Sequence, residues 1–320
     1  MPMTSRQLAE PTAETVRALP SVAPGSRWSG MLDALPDEAP ALPCTIVRGA
    51  ADGPTLLVTA GIHGAEYASI AAAQHLARTP ADRLRGTLIV APIINTSAYF
   101  ARSIYVTPLD GKNLNRVFPG NPEGSASERL AHWLVETLLR HADAYLDLHG
   151  GDLIEALTPF AIHSADDPDA RALANAFALP YRIEEHGEGM TFAAAHSLGV
   201  PAVLAEAGGQ GLWPSSVVQL LEDGARRALK HLGMTETAPA PTGTPELVTN
   251  FAWTRSDAAG CWYPAVEVGQ QVAVGELLGH VTDLLGAPVQ EARCSAAGTV
   301  LFAVTSLAIN RGDPLVGIGA

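Results

Sequence analysis

Four short stretches hold the residues whose types and spacing can do chemistry. In GIHGAE (61–66), His63 and Glu66 stand three apart across a turn, a spacing that lets an imidazole and a carboxylate reach one metal ion. Alone, the same pattern describes a turn histidine beside a helix-capping glutamate. DLHGGD (147–152) supplies His149, which by itself also reads as a turn histidine bonded to nearby backbone. Together, two imidazoles and one carboxylate with a fourth position open are the ligand set of a catalytic zinc, as distinct from a closed, cysteine-rich structural site. AVLAEAGGQG (202–211) ends an apolar run on Glu206, with glycines beyond it that leave room for a substrate. Glu206 reads as a general base that takes a proton from the attacking water and returns it to a leaving amine, or more plainly as a solvated loop carboxylate. DGKNLNRVFPG (110–120) sets the neutral donor Asn115 beside Arg116, whose planar fork suits a substrate carboxylate or a loop salt bridge.

These residues need a frame that brings them together. TLLVTAG (55–61), TLIVAPIIN (87–95), AYLDLHG (144–150) and VPAVLAEAG (200–208) are near-continuous apolar runs of strand length, as buried parallel strands are. Between and after them lie the amphipathic stretches EYASIAAAQHLA, SERLAHWLVETLLRHA (127–142), ARALANAFA (170–178) and SVVQLLEDGARRALKHLG (216–233). Alternating strands and helices predict a three-layer α/β domain with a mostly parallel sheet. The carboxyl ends of such strands share one edge, where ligands bind, so His63, Glu66, His149 and Glu206 can meet there.

The chain divides into an extended arm (1–40), a catalytic domain (41–234), a linker (235–246) that holds Pro239, Pro241 and Pro245, and a small all-β barrel or sandwich (247–320). The 320 residues carry 33 acids against 20 bases, a net charge of −13 that repels nucleic acid. No basic run suggests a membrane surface, and no apolar stretch or leader-like segment suggests a span or export, so a cytoplasmic location is expected. Cys44, Cys261 and Cys294 form no short-spaced pair and read as inert thiols.

The set GIHGAE, NLNRVFPG, DLHGG and AEAGGQG, in this order, resembles the succinylglutamate desuccinylase/aspartoacylase family, a branch of the zinc-carboxypeptidase-like fold. The form of the loop, with PLDGKN ahead of Leu114, is similar to the subgroup that includes N-acetyl-diaminobutyrate deacetylases. The resemblance implies one Zn2+ per subunit on His63, Glu66 and His149, Glu206 as base, and Asn115 with Arg116 holding substrate. It also implies an oxyanion-directed arginine near Ile104 or Tyr105, where none stands; Arg102 or the Tyr105 hydroxyl is the substitute. The β unit resembles that family's biotinyl/lipoyl-type sandwich, yet no lysine follows Lys230, so it is no carrier and is expected to shape the site entrance or a subunit interface.

Among the other histidines, His163, His186 and His196 are candidates for the pocket rim, while His75, His132, His141, His231 and His280 read as helix or β-unit residues. Asp147, two before His149 on one strand, shares its face and can orient it. The expectation is a zinc-dependent amidohydrolase removing an acetyl or succinyl group from a small N-acyl amino acid or related amide. Its partner is then a small molecule, and a homo-oligomer is left open. The competing readings are a metallocarboxypeptidase acting on peptide C-termini and a silent relative that only binds its ligand.

Overall fold

The computed structural model describes residues 19–320. The apolar runs form strands that alternate side chains between two covered faces. The strands are β1 (Ser26–Leu32), β2 (Leu42–Arg48), β3 (Ala51–Ala60), β4 (Arg85–Ala91), β5 (Ala144–His149), β6 (Glu155–Leu157), β7 (Phe160–Ser164), β8 (Tyr181–Glu185), β9 (Ala202–Glu206) and β10 (Glu246–Val248). All but β6 join one nine-stranded sheet in the order β1-β2-β4-β3-β5-β9-β7-β8-β10. The pairs β3/β4, β3/β5, β5/β9, β7/β8 and β8/β10 are parallel, and β1/β2, β2/β4 and β7/β9 antiparallel. The sheet is therefore mixed and mostly parallel, with the four strands expected from sequence at its centre.

Helices α1 (Tyr67–Leu76), α2 (Thr96–Ala101), α3 (Ala126–Thr137), α4 (Pro168–Phe177), α5 (Thr191–Ser197) and α6 (Ser215–His231) cover the sheet. On one face, Leu56, Val58, Leu146, Leu148 and Val203 pack with α1, α4 and α6 through Ile70, Phe177 and Leu221. On the other, Leu57, Ile89, Tyr145 and Leu204 pack with α3 and α5 through Leu134 and Phe192. Alternation within one strand thus feeds two cores, which is why these runs lack a polar face. Helix α3 starts where the Glu128 carboxylate accepts the Ser125 N–H at 2.8 Å, and it stops at Thr137, short of the expected 142.

Four strands were not marked out by the sequence. Residues 1–18 of the expected arm lie outside the described residues, and in its remainder Ser26–Leu32 is an edge strand paired with β2. Glu246–Val248, which spans the expected boundary between the linker and the β unit, adds to β8. Strands β7 and β8 carry too few apolar residues to stand out as runs.

After β10 come β11 (Phe251–Arg255), β12 (Gly260–Pro264), β13 (Gln271–Val272), β14 (Leu277–Thr282), β15 (Pro288–Arg293), β16 (Gly298–Val304), β17 (Ala308–Ile309) and β18 (Pro314–Gly319). They build two antiparallel sheets, β11-β18-β16-β13 and β15-β14-β12-β17, around Trp262, Leu278, Val300 and Leu315. Strand β6 leaves the catalytic region to pair with β16, tying the two parts together beside the site.

Candidate metal centre and substrate cavity

The carboxyl ends of β3, β5 and β9 bring the motif residues together. His63 and Glu66 follow β3 in the turn that opens α1, and the turn packs closely: a Cβ on Gly64 would stand 2.1 Å from the Tyr99 nitrogen. His149 ends β5 and Glu206 ends β9, and the two are direct register partners. One ligand atom each from His63, Glu66 and His149 lies within 4.8 Å of the others. Glu66 Oε1 is 2.7 Å from His63 Nδ1, and Glu66 Oε2 is 3.0 Å from His149 Nδ1.

The hydrogen-bond geometry says which nitrogens face inward. His63 Nε2 is 3.0 Å from Asn113 Oδ1, and His149 Nε2 is 3.0 Å from Asp147 Oδ2. In the tautomer in which that nitrogen carries the hydrogen and donates it to the side-chain oxygen, Nδ1 of each ring is left to face the shared point. His149 Nδ1 is buried and makes no hydrogen bond of good geometry, although it stands 3.0 Å from Glu66 Oε2. An orphaned buried ring nitrogen in a His-Glu-His set fits zinc. Asp147 is itself held, accepting from Thr59 Oγ1 at 2.7 Å and from Thr191 Oγ1 at 2.5 Å.

The charges are mutually dependent. Burial works to raise the Glu66 carboxyl, but His149 and His63 overcome it and hold Glu66 at about 2. Burial likewise presses down on His149, and Asp147 and Glu66 drive it well above the usual histidine range. Glu206 is pushed well above the ordinary carboxylate range by burial; His149 opposes the shift, and Glu66, Glu155 and Asp147 add to it. Its Oε2 is buried and has no hydrogen-bond partner.

A cavity of about 290 Å³ opens over these groups. Asn115 and Arg116 line it: Asn115 Oδ1 accepts the Thr191 N–H at 2.9 Å, and Arg116 Nη1 donates to the Asn115 carbonyl at 2.7 Å. Among the described residues no carboxylate pairs with Arg116; the loop salt bridge allowed by sequence does not form, and burial lowers its pKa against the pull of Glu206. Tyr105 also lines the cavity, but its hydroxyl donates to Glu155 Oε1 at 2.6 Å, which corrects the expectation of a free oxyanion donor. Arg102 corrects the other candidate: it caps α2 in a left-handed conformation and borders a separate depression with Tyr67, Tyr99 and Trp213. His163, His186 and His196 do not line the cavity; His163 is buried in β7 with Nδ1 on the Ser164 carbonyl.

Residues without a sequence signal complete the walls. Glu155 reaches the cavity through the three-residue β6, and Phe251, Trp253 and Phe302 come from the C-terminal sheets. Gly209 permits the closeness here, since a Cβ there would stand 2.1 Å from the Glu155 carbonyl oxygen. The β unit thus contributes part of the cavity wall.

Residues 52–232 match the succinylglutamate desuccinylase/aspartoacylase catalytic domain. The chain belongs to the succinylglutamate desuccinylase/aspartoacylase family. It is 32% identical to the N-alpha-acetyl-L-2,4-diaminobutyric acid deacetylase of Halomonas elongata over 86% of this chain and 84% of that protein. Among solved structures, the product-bound ectoine utilization protein EutE (DoeB) from Ruegeria pomeroyi superposes with a TM-score of 0.85 at 31% identity, covering 94% of this chain and 97% of that one. A succinylglutamate desuccinylase/aspartoacylase from Rhodobacter sphaeroides gives 0.81 at 27% identity, over 92% and 95% of the two chains. The family resemblance and the fold read from the motifs are thereby borne out. No helix among the described residues is long and apolar enough to cross a membrane.

Proposed function

We propose that the protein is a zinc-dependent amidohydrolase that removes an acetyl or succinyl group from a small N-acyl amino acid. The observation that carries this reading is the meeting of the His63-Glu66-His149 lone pairs with the unpartnered Glu206 Oε2 in one cavity. Zinc held by the triad would supply a Lewis acid for the amide carbonyl, lower the pKa of water and favour the ionised form of Glu206 by its charge. Glu206 takes a proton from the attacking water at Oε2 and delivers it to the leaving nitrogen, so that amide and water become carboxylate and amine. Arg116, without an ionic partner of its own, receives the substrate carboxylate through two parallel N–H donors. Asn115, anchored by Thr191, fixes the backbone from which Arg116 projects.

The cavity volume favours a small amide over a peptide, because about 290 Å³ is at the lower end of ligand pockets and aromatic side chains of the β unit wall it. A peptide carboxypeptidase would need that wall open. A silent binding relative would have no use for a base, and Glu206 stands where a base is needed. The acyl-amino-acid deacetylase and desuccinylase names of the relatives support the same reaction class. The test is amine release from a panel of N-acetyl, N-succinyl and longer N-acyl amino acids by protein of defined zinc content. Turnover confined to peptides, or independent of zinc, overturns the reading.

A further inference from the structure

The two imidazoles of the triad are held at their outer nitrogens, and the two holds belong to one hydrogen-bonded circuit. Asn113 caps the short turn Leu114–Arg116, and its Oδ1 accepts the Asn115 N–H at 2.9 Å. A backbone N–H can only donate, so the Asn113 atom it meets is the amide oxygen, and His63 Nε2, 3.0 Å from that oxygen, meets it as a donor. Asn115 passes the connection on, since its Oδ1 accepts the Thr191 N–H at 2.9 Å. The Thr191 hydroxyl donates to Asp147 Oδ2 at 2.5 Å, the same oxygen that stands 3.0 Å from His149 Nε2. Hydrogen bonds thus run from His63 through Asn113, Asn115, Thr191 and Asp147 to His149, and Glu66, 2.7 Å and 3.0 Å from the two Nδ1 atoms, closes the circuit.

The circuit is buried and passes through the loop that carries Arg116. Asn115, Thr191, Asp147 and His149 are all buried, so a bond lost there leaves a polar atom without water to replace its partner. Arg116 follows Asn115 directly and donates from Nη1 to its carbonyl at 2.7 Å. The loop also rests on the segment before α5, where the Phe118 N–H donates to the Gly189 carbonyl at 3.0 Å. Thr59 holds the other oxygen of Asp147, which leaves Thr191 as the link between Asp147 and the loop. An imidazole turns easily about its last side-chain bond, so the partner at its outer nitrogen decides where the inner nitrogen points. For both imidazoles that partner is tied to the same loop. A carboxylate that fixes the loop through Arg116 therefore reduces the freedom lost when a metal binds, and the metal does the same for the carboxylate.

We propose that Asn113 and Thr191 are positioning residues that join the carboxylate-binding loop to both imidazoles of the triad, so that zinc and a substrate carboxylate strengthen each other's binding. This rests on the zinc amidohydrolase reading above and adds a coupling between its two sites.

The experiment measures zinc affinity by chelator competition on metal-stripped protein, with and without hexanoate, a carboxylate that has no amide to cleave. The wild type is expected to bind zinc tighter by about fivefold or more when hexanoate is present. Asn113→Ala should weaken zinc binding by about 10- to 100-fold and Thr191→Val by about two- to tenfold, and both should lose the hexanoate effect. Thr191→Ser keeps the hydroxyl and should restore the affinity and the effect together. In the double variant the loss should fall short of the product of the two single losses, because either cut opens the same circuit. If Thr191→Val fails to fold, Asn113→Ala, at a turn residue that is only partly buried, carries the test. A lower thermal midpoint of the metal-free variants with zinc affinity unchanged would make both residues structural only and overturn the proposal. So would fully multiplicative losses, or a hexanoate effect that survives in Arg116→Met, which marks direct coordination of the carboxylate by zinc. Zinc bound by the wild type without any response to hexanoate overturns the coupling alone, whereas absence of stoichiometric zinc overturns the functional reading and the coupling with it.

Discussion

His149 and Glu206 are direct partners in the register of the parallel β5–β9 pair, each the last residue of its strand. Parallel pairing sets their side chains on the same face of the sheet, the face that also carries Tyr145, Asp147 and Leu204. A candidate metal ligand and the proposed base therefore stand side by side at one sheet edge without any loop to position them.

Substituting Glu206→Gln should lower kcat by about 10² to 10⁴, the range for removing a general base, with zinc content and KM nearly unchanged. Metal analysis of the purified variant beside steady-state kinetics checks this. Zinc loss in proportion to activity would make Glu206 a ligand instead of a base.

Asp147 touches His149 Nε2 and not the shared lone-pair point, so its effect should fall on metal affinity. Asp147→Asn is expected to weaken zinc binding by about 10- to 100-fold, while His63→Ala abolishes stoichiometric binding. Competition with a chromogenic chelator measures both, and added zinc should restore Asp147→Asn activity but not that of His63→Ala. Unchanged affinity in Asp147→Asn would show that its hydrogen bond is structural only.

The central strands and the triad were legible because both depend on local signals: uninterrupted apolar runs, and ligand types placed where those runs end. Glu206 stood out for the same reason, as an acid closing a buried strand. The walls of the cavity were not legible. Glu155 reaches it only because β6 pairs with β16, more than a hundred residues further along the chain. Tyr105 kept its place near the site but lost its assigned role, since the carboxylate that takes its hydroxyl is fifty residues away in sequence. Arg102 lay close in sequence and apart in space, because the left-handed end of α2 directs the chain past another depression.

Arg116 offers geometry as well as charge. Arg116→Lys keeps the charge and loses the fork, so KM for N-acyl amino acids should rise by about tenfold, equivalent to about 1.4 kcal/mol, with kcat changed far less. Amide substrates lacking the carboxylate should show no difference between wild type and variant. An equal loss on both substrate types would place Arg116 in the chemical step.

Trp253 is 44% exposed and lies outside the buried core of the β unit, yet it lines the cavity. Trp253→Ala should therefore raise KM for small substrates and leave the thermal midpoint close to that of the wild type. A large fall in the midpoint with KM intact would make the residue a packing element and remove the β unit's indole from the substrate wall.

Cys44 lies in β2 at 2% exposure, and burial pushes its thiol up to about 12. Only the thiolate reacts with iodoacetamide, so at pH 8.5 Cys44 should stay unlabelled in the folded protein and become labelled in urea. The same shift has a signed consequence for stability. The unfolded thiol ionises near 8.5 and the folded one does not, so the contribution is fully present below that pH and is lost as pH rises from about 8.5 toward about 12. Urea midpoints measured from pH 8 to pH 10.5 should fall more steeply for the wild type than for Cys44→Ala. Parallel slopes, or labelling of Cys44 in the native state, would show that the β2 edge of the core opens to water.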